Sequence, residues 1–87
     1  EFTLLQNYPN PFNPATEIKY ELPKNSFVTI KIYNALGEEI ENVVNNEWKS
    51  TGRYSVLFDG TNFASGIYFY TIEAGNFKDT KKMILIK

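Results

Sequence analysis

Alternation of polar and apolar residues with a period of two is the feature of this sequence that most constrains its fold. Residues 17–22, EIKYEL, place Ile18, Tyr20 and Leu22 on one face and charged side chains on the other. The segments SFVTIKIYN, RYSVLFD and IYFYTIEA alternate in the same manner. This is the period of a β-strand that has one face in a core and the other in water. The sequence therefore predicts an all-β chain.

The alternating segments also identify the residues expected to face the core. A weaker strand is predicted around Ile40, Val43 and Val44, and it is followed by a polar stretch, residues 45–52, that contains Trp48. In the three other alternating segments, the expected core residues are Val28, Ile30 and Ile32, then Tyr54, Val56 and Phe58, then Tyr68, Tyr70, Ile72 and Ala74.

Glycine marks the predicted turns between these segments. Gly37 in NALG is expected at a position with positive φ, and Gly75-Asn76 has the length of a hairpin turn that leads into the last segment, FKDTKKMILIK. In the loop GTNFASG, Phe63 is expected to close an open end of the core. Short strands separated by turns every 8 to 12 residues, roughly, are typical of a sandwich. We predict an immunoglobulin-like antiparallel β-sandwich of about seven short strands.

Composition limits the chemistry that this chain can perform. Its 87 residues suffice for one domain with one modest core, to which seven Phe, six Tyr and one Trp contribute large apolar surfaces. The sequence contains neither Cys nor His. It therefore has no disulfide, no thiolate nucleophile and no imidazole base or metal ligand. We expect no enzymatic activity, no metal and no cofactor.

Charge and hydropathy argue against two classes of partner. The formal net charge of −1 and the pI near 5.4 do not provide the basic surface that nucleic acids require. No apolar run approaches the roughly 20 residues of a membrane span, and no signal peptide opens the sequence. We expect no nucleic-acid partner and no membrane span, and an N-terminal signal peptide would belong to a longer parent chain.

Three prolines, Pro9, Pro11 and Pro14, distinguish the beginning of the chain. Each lacks a backbone N–H and favours extended backbone, and the Asn-Pro pairs favour turns where the first long strand begins. From this we predict an extended Pro-rich linker or domain entrance at residues 1–16, followed by the sandwich at residues 17–87.

Trp48 raises an alternative function. With Phe27, Tyr33 and Phe69 on outward strand faces, it could form a platform on which sugar rings stack. We expect instead that Trp48 packs against the edge of the sandwich. A polysaccharide partner remains the alternative, in which the chain is an accessory carbohydrate-binding or structural immunoglobulin-like module of a secreted glycoside hydrolase.

Several motifs of the sequence also resemble those of a known protein family. Four segments, in order and spacing, resemble the type A C-terminal sorting domain that directs cargo through the type IX secretion system of Bacteroidetes and related bacteria: NYPNPFNPATEIKYELP, IYNALGEE, FDGTNFASGIYFYTIEAG and TKKMILIK. The resemblance extends from about residue 4 to residue 87. A related sandwich occurs in the flagellar hook-capping protein.

This resemblance implies a fold, partners and a location. The domain would be an immunoglobulin-like sandwich at the C-terminus of a larger exported protein, whose upstream cargo domain lies on the same chain. Its partners would be the type IX translocon and a surface sortase that removes the domain and attaches the cargo to a lipopolysaccharide anchor. The cargo would be secreted or placed on the cell surface by way of the periplasm.

Two groups of residues take roles from the resemblance. Pro9, Pro11 and Pro14 would mark the linker or cleavage junction between cargo and signal. The terminal strand, read by the machinery, would comprise Lys81, Lys82, Met83, Ile84, Leu85, Ile86 and Lys87. Met83 and Leu85 are expected on one face of this segment and Ile84 and Ile86 on the other, so both faces carry apolar side chains. Lysines commonly protect exposed strand edges, so we expect an edge or a face there to accept a partner.

Overall fold

The chain folds into seven β-strands, which are described by a computed structural model of residues 1–87. Alternating side chains form the long strands, and glycine-containing turns at Gly37 and Gly75 connect two of the hairpins at positive φ. The structure contains no helix long and apolar enough to cross a bilayer. The strands are β1 (Thr3–Leu4), β2 (Ala15–Leu22), β3 (Ser26–Asn34), β4 (Glu39–Lys49), β5 (Gly52–Asp59), β6 (Gly66–Ala74) and β7 (Phe77–Leu85).

Two antiparallel sheets face each other. The three-stranded sheet has the order β1-β2-β5, and the four-stranded sheet has the order β4-β3-β6-β7. Each sheet turns one face inward, and the inward side chains are the ones that the period of two predicts. In β2, Ile18, Tyr20 and Leu22 are buried, and in β3, Val28, Ile30 and Ile32 are fully buried. The prediction of an all-β sandwich is confirmed.

The other predicted core positions have mixed exposure. Phe58, Tyr68 and Tyr70 are buried, whereas Tyr54 and Val56 on β5 are half-buried and pack against the core. Phe63 closes one end of the sandwich as expected, since its ring stacks on Phe58 with centroids 5.8 Å apart.

The polar stretch that follows Val44 is a strand and not a loop. β4 continues to Lys49, where Trp48 pairs with Phe27 and Lys49 with Ser26 across the ladder. Alternation fails here because β4 lies at the edge of the sheet and its ladder with β3 contains register shifts. Only Val44 of this strand is buried, so the sequence carries little apolar signal.

The Pro-rich segment bends at residues 9–11 and 13–14 and belongs to the sandwich. Thr3–Leu4 pairs with β2, and the side chains of Leu4, Asn7 and Phe12 are buried. A linker that stands apart from the fold at residues 1–16 does not account for these contacts. Because Leu4 and Phe12 are core residues, the cost of ordering this segment is offset by apolar burial.

Candidate functional site

The terminal strand β7 lies at the edge of the four-stranded sheet and joins β6 through the two-residue turn Gly75-Asn76. Its two faces differ. Met83 and Leu85 point inward and are buried, whereas Lys82 and Ile84 lie on the outer face. The prediction that Met83 and Leu85 share a face, and that Ile84 lies on the opposite one, is confirmed.

Lys81 lies on the inward side of this edge strand. It stands opposite the buried Tyr70 and is half-exposed, and Asp79, two residues before it, shares its face. Inward charges of this kind discourage an edge strand from pairing with another chain. Burial raises the pKa of Tyr70 to about 12, a hydrogen bond from the Asn7 N–H acts in the opposite direction, and the Asp79 carboxylate raises it further.

The free edge of β7 is covered by the Pro-rich segment. The Gln6 Nε2 donates to the Lys82 carbonyl at 2.7 Å, and the Ile84 N–H donates to Asn10 Oδ1 at 3.0 Å. Phe12 then exchanges two backbone hydrogen bonds with the strand, from its N–H to the Ile84 carbonyl and from the Ile86 N–H to its own carbonyl, each 2.9 Å long. We call residues 6–12 the clasp. Over residues 82–86, the clasp occupies the hydrogen-bonding groups that another strand would need.

Phe12 anchors the clasp in the core. Its side chain is 1% exposed and meets Phe58 edge to face, with centroids 5.9 Å apart. Gly60 makes room for it, because a Cβ there would lie 3.0 Å from Leu85, 3.1 Å from the Pro14 carbonyl oxygen and 3.3 Å from the Phe12 ring. The clasp, the β5–β6 loop and the end of β7 therefore pack as one unit.

A buried polar network fixes the first half of the clasp. Asn7 Nδ2 donates to Thr16 Oγ1 at 3.0 Å and to the Pro9 carbonyl at 3.1 Å, and Thr16 Oγ1 donates to that same carbonyl at 2.8 Å. The Asn7 N–H donates to the Tyr70 hydroxyl, which itself donates to the Leu5 carbonyl, both at 2.7 Å. Sequence reasoning missed Asn7 and Thr16. The available signal was polar donors beside prolines, which have carbonyls to satisfy but no N–H to offer.

Pro9, Pro11 and Pro14 are exposed, and the peptide bond before each of them is cis. They lie at the surface of the clasp and of its connection to β2. The predicted junction residues are therefore accessible, while their neighbours Asn7, Phe12 and Thr16 are buried.

Ile86 and Lys87 extend beyond β7, and Lys87 contacts the β5–β6 loop. The Lys87 N–H donates to Ser65 Oγ at 3.0 Å, and its ammonium donates to the Thr61 carbonyl. In the same loop, hydrogen bonds from Thr61 lower the pKa of Asp59, and the Lys87 charge adds to this effect. Ile86 is 51% exposed.

Trp48 does not pack against the sandwich edge. Its side chain is 59% exposed on the outer face of the four-stranded sheet and meets the exposed ring of Phe27 edge to face, with centroids 4.8 Å apart. The expectation of a Trp48 folded onto the edge is wrong because β4 continues as a strand and directs the indole outward.

Tyr33 and Phe69 lie opposite each other near the other end of that face. The four aromatics therefore form two separate pairs and not one platform. Between them lies a polar depression of about 230 Å³ lined by Thr29, Lys31, Tyr33, Thr71, Glu73, Lys78 and Thr80.

A comparison with known protein families connects this geometry to a function. Residues 6–87 match the family described as the secretion system C-terminal sorting domain. The chain belongs to this family. Its function is that of the C-terminal signal by which cargo proteins are sorted for type IX secretion. The match begins at the first residue of the clasp and includes all of β7.

Solved structures support the fold alone. The crystal structure of CopC from Methylosinus trichosporium OB3b is similar with a TM-score of 0.62, at 9% sequence identity, over 98% of this chain and 93% of that chain. At this identity the likeness extends to the β-sandwich and not to what that protein does. A comparison with curated proteins gave no match.

Proposed function

We propose that this sorting domain delivers a cargo protein, joined ahead of residue 1, across the outer membrane to the cell surface. Its partners in this proposal are the type IX translocon and then a surface sortase. The observation that carries the proposal is the family match over residues 6–87, because it includes both the clasp and the terminal strand. The route passes through the periplasm, so the full-length parent would carry an N-terminal signal peptide.

The domain acts in this proposal by being recognised, without catalysis of its own. The sorting family is in general non-catalytic. The recognition segment is residues 81–87, as the sequence resemblance implies. Of these, the side chains of Lys82, Ile84, Ile86 and Lys87 are at least partly accessible on or beyond the outer face.

We place the cleavage or hand-over junction ahead of β1 and not at Pro9, Pro11 or Pro14. A protease needs an extended segment free of other contacts, whereas residues 6–12 are hydrogen-bonded to β7 and anchored by Phe12. A cut ahead of Thr3 would leave the sandwich whole.

The experiment fuses a reporter ahead of residue 1 in a bacterium that has the type IX machinery. Replacing Lys81, Lys82 and Lys87 together with Gln tests their charge, and we expect the fold to survive because none of the three is buried. Deleting residues 83–87 removes the buried Met83 and Leu85, so both folding and export should fail. Normal surface levels of the reporter after this deletion would overturn the recognition role of residues 81–87.

Trp48 supports a second candidate function, because an exposed indole beside Phe27 is a surface on which a sugar ring could stack. Affinity electrophoresis of the domain in soluble xylan, cellulose derivatives and mannan distinguishes the sorting function from the carbohydrate-binding function. The sorting proposal expects no retardation. Retardation that Trp48→Ala abolishes would favour a carbohydrate-binding module.

A further inference from the structure

We propose that the protein partner of this sorting domain docks on one end of the outer face of the four-stranded sheet. We call this surface the distal face, and it comprises Tyr33, Ile67, Phe69, Lys82 and Ile84. The partner would present an apolar surface with a carboxylate at its rim. This inference rests on the proposed function and names the surface through which it acts.

The inward face of β7 near its end, and the edge of the strand there, are already occupied within the domain. The inward side chains near its end, Met83 and Leu85, are buried in the core. The edge over residues 82–86 is hydrogen-bonded to the clasp. A partner that reads the end of this strand without unfolding the domain therefore has only its outer face to contact.

This part of the outer face is apolar and continuous. Ile67 lies directly opposite Ile84, and Phe69 lies between Tyr33 on one side and Lys82 on the other. Directly opposed side chains of neighbouring strands are in contact range, so these five residues form one patch. Ile67 is 44% exposed. Such a patch on a small domain is typical of an interaction site.

Lys82 differs in its ion pairing from two other lysines on the outer face. Two other lysines on the same outer face have acidic neighbours, Lys31 with Glu39 at 3.3 Å and Lys78 with Glu73 at 3.7 Å. Lys82 forms no salt bridge within the chain. Its charge is therefore available to a carboxylate of the partner, which would direct the approach and the orientation of docking.

Charge also disfavours a second copy of this chain as the occupant. A two-fold dimer through the distal face would bring two unpaired Lys82 charges into one interface. The carboxylates of Glu39 and Glu73 on the outer face are already paired with Lys31 and Lys78. Like charges brought together without a counter-charge cost affinity.

The distal face lies far from the end of the domain that a cargo protein would join. Phe2 stacks on Phe77, at the start of β7, with ring centroids 5.3 Å apart. Ile84 lies seven residues further along the strand, or about 24 Å at the usual rise of a β-strand. A cargo domain ahead of residue 1 would therefore emerge at the opposite end and leave the distal face clear.

The experiment measures export of a reporter fused ahead of residue 1, in a bacterium with the type IX machinery. The test variants are Ile67→Thr, Ile67→Glu and Lys82→Glu. Their matched controls are Leu57→Glu, at a position that is 61% exposed on β5, and Lys19→Glu, at an exposed position on β2. Both control positions belong to the three-stranded sheet, so they change the same side-chain types away from the distal face.

We expect Ile67→Glu and Lys82→Glu each to reduce surface-exposed reporter about tenfold, and Ile67→Thr to reduce it less. Both controls should export like the unmodified fusion. Thermal melting of the purified variants identifies any that fail to fold. If Ile67→Glu does not fold, Lys82→Glu decides, because its exposed side chain makes no contact that the fold needs.

The other outcomes separate the two proposals. If the unmodified fusion stays in the periplasm, the proposed function fails. If it is exported and folded Ile67→Glu and Lys82→Glu are exported equally well, the docking surface is wrong and the proposed function stands.

Two further outcomes would also overturn the distal face as the partner's site. Gln6→Ala with Asn10→Ala loosens the clasp, and increased export from this double variant would indicate recognition by the edge of β7. Dimerisation in sedimentation analysis that Ile67→Glu abolishes without loss of export would identify a second copy as the occupant.

Discussion

At the scale of single residues, Tyr70 joins the clasp region to the four-stranded sheet. Its ring is fully buried in the core, while its hydroxyl accepts from the Asn7 N–H and donates to the Leu5 carbonyl. No buried side-chain polar atom of the structure is left without a partner. Each member of such a network therefore has a measurable cost of removal.

Tyr70→Phe keeps the ring and removes the hydroxyl, which leaves the buried Asn7 N–H and the Leu5 carbonyl without their partner. We expect the free energy of unfolding to fall by about 1–3 kcal/mol, measured by urea denaturation. Tyr8→Phe is the matched control, because Tyr8 is 78% exposed and should change stability by less than about 0.5 kcal/mol. Equal midpoints for the two variants would contradict a structural role of this hydroxyl.

Alkaline pH should destabilise the domain through its buried tyrosines. Burial raises the pKa of Tyr20 to about 12, with smaller contributions from Glu47 and Tyr54, and burial likewise raises that of Tyr70 to about 12. Tyrosines of the unfolded chain ionise near pH 10, roughly. Between pH 10 and 12, the unfolded chain therefore releases protons that the folded chain retains, so stability is complete below this window and falls as the pH rises through it.

Denaturation midpoints measured across that window test the claim. The decline should be shallower in the double variant Tyr20→Phe with Tyr70→Phe. The same slope in both proteins would show that other groups cause the alkaline loss.

At the scale of elements, the clasp and β7 depend on each other. The strand provides carbonyl and N–H groups along its edge, and the clasp satisfies them from Gln6, Asn10 and Phe12. A bare edge would invite pairing with other chains. The Pro-rich segment thus protects the strand that follows it by some seventy residues in sequence.

Phe12→Ala tests how much the Phe12 side chain stabilises the domain. Truncating a fully buried Phe opens a cavity beside Phe58 and Leu85 and costs about 3–5 kcal/mol. Tyr8→Ala, in the same segment but exposed, should cost less than about 0.5 kcal/mol. Thermal unfolding measures the stability of the two variants. A Phe12→Ala protein as stable as Tyr8→Ala would mean that the Pro-rich segment is a free linker.

Gly60→Ala examines the same packing from the β5–β6 loop. The added methyl group would lie 3.1 Å from the Pro14 carbonyl oxygen, which is backbone and cannot yield easily. We expect a loss of about 1–3 kcal/mol in denaturant titration. Asn62→Ala, an exposed change in the same loop, should be close to neutral. A stabilised Gly60→Ala protein would contradict the close approach of loop and clasp.

The sequence predicts those elements whose period reports a buried face. Ile18, Ile30 and Ile72 alternate with polar residues, so their burial follows from the sequence alone. The first half of β4 was predicted around Ile40, Val43 and Val44, but its continuation to Lys49 was not, because an edge strand with one buried residue has no such period. The clasp was not predicted, because Phe12 and Asn7 form hydrogen bonds with residues more than sixty positions away in the sequence. The local sequence does not report such contacts.

The sequence likewise predicted only part of the candidate site. Resemblance to a family identified the terminal strand, and alternation placed Met83 and Leu85 on one face of it, but which face is buried became known only from the structure. Closure of the strand edge by the clasp, and the meeting of Tyr33, Ile67 and Phe69 on one outer surface, required the sheet order.

At the scale of the whole molecule, the two ends of the domain differ in structure. Phe2 and Phe77 mark the end where the chain enters, and the end of β7 marks the other. Residues from both ends of the sequence complete one core, which includes Leu4, Phe12, Met83 and Leu85. We therefore expect the terminal strand to fold only together with the segment that precedes β2.

Removal of residues 1–14 should damage the whole fold. It removes the buried side chains of Leu4, Asn7 and Phe12 and uncovers the edge of β7. We expect a melting temperature lower by more than about 15 °C, or no cooperative transition, by circular dichroism. A truncated chain that melts like the full domain would support a boundary at residue 16.

The most direct test of the central claim is where a reporter goes when residues 1–87 are fused to its C-terminus behind a signal peptide. Surface exposure is measured by protease digestion of intact cells, in a strain with the type IX translocon and in an isogenic strain without it. We expect reporter at the surface or in the medium of the first strain and in the periplasm of the second. The same distribution in both strains would contradict this expectation.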